Sequence, residues 1–121
     1  KEHNPDIQIV AAEARPGDNV QGLRSLEEGY IPPIFDPQFL DRKLLISSED
    51  SINWTRCALK QEGLFVGVSA GSNLAAAMKV AGPENNKIVI IVPDGGARYL
   101  STGIFAADDK DLGDYEAYGW W

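Results

Sequence analysis

Leu64-Phe65-Val66-Gly67-Val68-Ser69-Ala70-Gly71-Ser72-Asn73 is the stretch from which the rest of the chain is read. A short apolar run rich in β-branched and aromatic residues breaks at small residues, and helix formers follow from Leu74 to Lys79. The pattern predicts strand, tight turn, helix. Unpaired N–H groups and the positive end of the macrodipole gather at the first turn of such a helix, so Ser69 faces a natural place for a polar or anionic ligand group. A second reading stays open beside it: Gly and Ser at this position also serve only to cap a helix and pack it on its strand.

Composition narrows the function classes. With 121 residues, 44% of them hydrophobic, the chain is long enough for one domain with a modest core. Eighteen acidic against eleven basic residues give a formal charge of -7, which repels phosphate backbones and anionic lipid, so neither nucleic acid nor a membrane is expected as a partner. Cys57 is the only cysteine, which leaves no intrachain disulfide and no thiolate metal cluster. It falls in a helical pattern, where a buried thiol and a reducing cytoplasm are expected. No apolar run approaches the ~18 residues of a membrane span. Lys1-Glu2-His3-Asn4-Pro5-Asp6 resembles the end of a helix and the loop after it, and the expectation is the later part of a longer protein.

Outward from the central stretch, strands and helices alternate. Ile7 to Ala12 is apolar apart from Gln8 and predicts a strand buried on both faces. Asn19 to Pro37 mixes glycine and proline with apolar side chains, which predicts a long structured loop; its length and apolar content mark it as functional and single out Arg24. Leu44-Leu45-Ile46 predicts a short strand. Ser47-Ser48-Glu49-Asp50 caps a helix that runs to about Glu62 and stops at Gly63. Lys87 to Val92 carries the strongest β signal and ends at Pro93-Asp94-Gly95-Gly96. Together these elements predict an α/β fold, a mostly parallel sheet with helices on both faces, and ligands beyond the carboxyl ends of its strands, where Ser69 and Asp94 would lie.

Gly67-Val68-Ser69-Ala70-Gly71 matches the G-x-S-x-G nucleophile elbow, so a serine hydrolase is one reading. That fold takes its base from a histidine downstream of the serine. Here the single histidine, His3, lies far upstream, which weighs against the reading. The turn also departs from the G-x-G-x-x-G of dinucleotide sites.

Four segments in order resemble the second half of cysteine synthases. They are Gln8-Ile9-Val10-Ala11-Ala12-Glu13, then Gly22-Leu23-Arg24 through Glu28-Gly29-Tyr30-Ile31-Pro32, then Glu62 through Gly71, and finally Pro93-Asp94-Gly95-Gly96-Ala97-Arg98-Tyr99-Leu100-Ser101-Thr102. The likeness runs from about Ile7 to Phe105. Those enzymes use pyridoxal phosphate, have the fold type II (tryptophan synthase β-like) architecture, and are relatives of cystathionine β-synthase. The resemblance implies that the Ser69 hydroxyl bonds the pyridine nitrogen of the cofactor, a milder partner than a carboxylate and suited to β-replacement. It also implies that Asp94 and Gly95, with Gly96, line the pocket near the ring; a simple turn after a strand is the other reading. Gly22-Leu23-Arg24-Ser25 is similar to the branch using O-phosphoserine rather than O-acetylserine, which implies that Gly22 and Arg24 bind substrate, the guanidinium taking the phosphate. Against this stands an ordinary solvated arginine.

The family's Schiff-base lysine and its glycine- and threonine-rich phosphate cradle belong to its first half and have no match here. The resemblance therefore implies the C-terminal section (1–121) of a cysteine synthase. Such a section would share its cofactor with a complementary N-terminal half, be inactive alone, and belong to a homodimer acting on an amino-acid substrate and a sulfur donor in the cytoplasm. A non-catalytic interaction module of the same fold is the alternative. The acidic and aromatic tail from about residue 106 to 121 either closes over a cleft or partner, or packs on its own domain.

Overall fold

In the computed structural model, residues 1–29, 31–84 and 87–106 are described. Tyr30 and the acidic and aromatic tail beyond Ala106 lie outside the described residues.

Two strands pair in parallel: β1, Val10–Ala14, and β2, Arg42–Ile46, with Val10 opposite Arg42 and Ala14 opposite Ile46. The first strand starts three residues later than its apolar run. Among the described residues it has one neighbour, β2, and Ile7 and Ile9 are exposed rather than buried on both faces. Between the strands the chain makes two single turns of 3-10 helix, Leu26–Glu28 and Pro37–Phe39, capped by the side chains of Ser25 and Asp36.

Helix α1, Ser48–Glu62, forms where its signals put it. Ser47 accepts from the Asp50 N–H, acidic residues fill the first turn, and Gly63 closes the helix in the left-handed conformation at φ 68°. Helix α2, Val68–Val80, begins at Gly67 without a side-chain cap, which places Ser69 in its first turn.

The two helices touch through very small residues. A Cβ on Gly71 would run into the Ser51 carbonyl and the Thr55 hydroxyl of α1. Around that crossing Ser72 donates to Ser51 at 2.7 Å, Ser51 to the Ser47 carbonyl at 2.7 Å, and Thr55 to the Ser51 carbonyl at 2.8 Å. The hydroxyls of Ser51, Thr55 and Ser72 are thereby all used. Helix α2 also packs Ala75 and Ala76 against Ile46, Ala12 and Leu44 of the sheet. A second cluster gathers Ala14, Val20, Ile52, Val68, Tyr99 and Ile104. Cys57 is half-buried.

Two expected strands do not form. Leu64 to Val68 is reduced to one antiparallel bridge between Val66 and Gly95, and Lys87 to Val92 pairs with nothing among the described residues. Val89 is 96% exposed. A strand needs a partner for its N–H and C=O groups, and the apolar run identifies the segment without supplying the neighbour. The chain then turns through a 3-10 helix, Gly96–Thr102, which carries Tyr99 inward.

Candidate functional site

Three separated segments meet at the amino end of α2. Ser69 is buried in the first turn, and no hydrogen bond to its hydroxyl is found among the described residues. Ser72, one turn later, is by contrast tied to α1. Gly22 lies directly against Ser69: its backbone is left-handed at φ 87°, and a Cβ there would come within 3.4 Å of the Ser69 Cβ and 3.6 Å of its Oγ. The left-handed backbone is what favours glycine here, since those distances are ordinary van der Waals contact.

Asp94 lies against the residue that precedes the helix. Its carboxylate lies over Gly67, where any Cβ would overlap it and would stand 2.7 Å from the Tyr99 ring. The Gly67 N–H donates to the Asp94 carbonyl at 3.0 Å, and the Gly96 N–H to the Phe65 carbonyl at 3.0 Å, so the Asp94–Gly96 turn is stitched to the residues leading into α2. Gly95 is exposed beside that stitch. Tyr99 donates to Asp94 Oδ2 at 2.9 Å, whereas Oδ1 is buried without a partner among the described residues. Burial, and then the Asp94 carboxylate, push the Tyr99 phenol up to about 12, so at neutral pH it is a donor.

Ser69, Gly22, Asp94 and Gly95 are thus drawn toward one helix end. Arg24 is exposed two residues beyond Gly22, with no described contact to Ser69 or Asp94. No hydrogen bond joins His3 to Ser69, so the hydrolase reading gains no base. Both glycines of the G-x-S-x-G pattern are accounted for by packing, Gly67 under Asp94 and Gly71 against α1.

Comparison with known proteins points one way. The chain is 38% identical over 117 residues to a cysteine synthase of Aquifex aeolicus and 35% identical over 114 residues to cysteine synthase B of Escherichia coli. Those matches cover 92% and 93% of the chain but only 35% and 38% of the relatives. Among solved structures, a cysteine synthase from Entamoeba histolytica superposes with a TM-score of 0.77 at 33% identity, covering 88% of this chain and 35% of that one. An O-acetylserine dependent cystathionine beta-synthase from Helicobacter pylori gives 0.74 at 33% identity, covering 86% and 37%. The chain is homologous to part of the cysteine synthases. No protein-family profile matches it.

The fold is that of the fold type II pyridoxal-phosphate enzymes, and the chain spans a little over a third of the length of these cysteine synthases. Three features fit the ring end of that cofactor: the unused Ser69 hydroxyl, the absent Cβ of Gly22 opposite it, and the unpartnered Asp94 oxygen. Sequence reasoning passed over Tyr99 and Gly67. The Tyr99–Asp94 bond spans five residues across a turn and follows no helical period, and Gly67 shows its purpose only once the Asp94 carboxylate is seen above it.

Proposed function

We propose that the chain is the C-terminal section of a pyridoxal-phosphate-dependent cysteine synthase. The reaction is β-replacement on O-phosphoserine or O-acetylserine: the β C–O bond breaks, phosphate or acetate leaves, and a sulfur nucleophile forms the new C–S bond. The observation that carries this reading is the free Ser69 hydroxyl held in the first turn of α2 against Gly22. When bound, the cofactor supplies the electron sink. Ser69 donates to its ring nitrogen, and Asp94 and Gly95 border the ring. Gly22 lets substrate approach closely, and Arg24 offers a planar fork matched to a phosphate ester.

The Schiff-base lysine and the phosphate cradle come from a complementary N-terminal section, in a complete protein that is a cytoplasmic homodimer. The isolated chain is therefore inactive. A second reading, a non-catalytic interaction module of the same fold, draws on the exposed apolar segment Lys87 to Val92.

The test is to mix the chain with pyridoxal phosphate and the matching N-terminal section. A cofactor absorbance band should appear that the chain alone does not give, followed by cysteine formation from sulfide and one of the two substrates. Ser69→Ala should cut turnover by about tenfold or more. Arg24→Ala should raise KM for O-phosphoserine more than for O-acetylserine. If the sections associate but neither binds cofactor nor makes cysteine, the interaction module replaces the enzyme.

A further inference from the structure

The two-stranded sheet has two faces, and α2 covers one of them through Ala12, Leu44 and Ile46. Glu13, opposite Leu45 in the register, lies on the other face together with Lys43. Its side chain is only 4% exposed. The Ser25 hydroxyl donates to Glu13 Oε2 at 3.4 Å, and the Lys43 ammonium reaches the same oxygen at 3.4 Å. The Ser25 oxygen also accepts from the Glu27 N–H at 3.2 Å, while Lys43 extends to the Glu27 carboxylate at 3.4 Å. Burial works against the charge on Lys43, but Glu13 and Glu27 outweigh it and hold the ammonium above its ordinary value.

Among the described residues, every polar contact of the Glu13 side chain therefore leads to the loop between the strands, directly or through Lys43. The packing of α2 gains nothing from it, and a buried carboxylate costs more than an apolar side chain of similar size would. Upstream, the same loop is held by Val20, which sits in the core and accepts from the Leu23 N–H at 3.0 Å. Gly22 and Arg24 lie between these two anchors.

We propose that Glu13, acting through Ser25 and Lys43, is a positioning residue that sets the conformation of the loop segment 20–29, and with it the placement of Gly22 against Ser69 and of Arg24 toward substrate. The substrate half of this inference rests on the reading of Gly22 and Arg24 given above; the anchoring half does not.

The experiment compares intact wild-type protein with Glu13→Leu, Ser25→Ala and Ser25→Thr by amide hydrogen exchange, thermal unfolding and steady-state kinetics. Glu13→Leu and Ser25→Ala should speed exchange in residues 21–29 by about tenfold while α1 and α2 keep wild-type rates and the Tm does not fall. Ser25→Thr, which retains the hydroxyl, should restore slow exchange. In the active enzyme the first two variants should raise KM for O-phosphoserine by about tenfold with kcat within about twofold. Unchanged exchange in the loop overturns the proposal, as does equal acceleration in the helices, which would make Glu13 a general stabiliser. An unchanged KM alongside a loosened loop overturns the link to substrate. If wild-type protein turns over neither substrate, the enzyme reading falls while the exchange data still decide the role of Glu13, and should Glu13→Leu not fold, Glu13→Met, which keeps the length of the side chain and removes its acceptors, decides it.

Discussion

Tyr99 and Asp94 form a pair in which a buried phenol steadies a carboxylate whose second oxygen has no partner among the described residues. Because the folded-state value of the phenol lies near 12, above the 10.0 of an unperturbed tyrosine, its contribution to stability is complete below pH 10. That contribution is lost as pH rises from about 10 to about 12. A phenolate absorbance titration should therefore contain a late phase that Tyr99→Phe removes, and the variant should lose the corresponding fall in stability over that interval. If all phenols titrate together near 10, the buried pair does not persist in solution. At this scale the sequence was legible where one residue type has one purpose. Ser69 and Gly22 could be singled out from motif and resemblance, and they do lie together. Glu13 could not, since an acidic residue at the end of an apolar run says nothing about which serine and lysine will later surround it.

The helix pair is where local signals and tertiary packing agree. Helix α1 could be drawn from its cap, its acidic first turn and its terminal glycine, because all three act within a few residues of the positions that show them. The strands are a different matter. Leu64 to Val68 and Lys87 to Val92 have the composition of strands, yet pairing depends on a neighbour that composition does not encode, and only a single bridge joins Val66 to Gly95. The α1–α2 crossing depends on Gly71 more than on any apolar side chain. Gly71→Ala should destabilise the protein by about 3 kcal/mol, toward the upper end of overpacking costs, because the methyl meets the Ser51 backbone, which cannot rotate away. Denaturant unfolding measures this. Gly82→Ala, where a Cβ would meet open space, is the control and should change stability by less than about 1 kcal/mol. Equal effects at the two glycines would mean that the helices do not cross as closely as described.

Across the whole molecule, apolar surface is distributed unevenly. The described core is small, whereas Val89, Ile91, Val92, Ile88 and Leu64 remain exposed to varying degrees. Left as it is, such a surface favours association. The isolated chain should scatter light increasingly with concentration. Val89→Lys, at a point 96% exposed, should suppress that association without lowering the Tm. Persistent association in this variant would move the sticky surface elsewhere.

One contact made by that segment limits how it associates. Asn73, in the second turn of α2, donates its side-chain amide to the Ile91 carbonyl at 2.8 Å. Once the segment is drawn out straight, successive carbonyls point to opposite edges, so the Ile91 acceptor and its Val89 counterpart share one edge and those of Ile90 and Val92 the other. A side chain of the same molecule already closes the first edge at Ile91. The second edge makes no hydrogen bond among the described residues, so a completing strand laid along it would find its acceptors free without displacing Asn73.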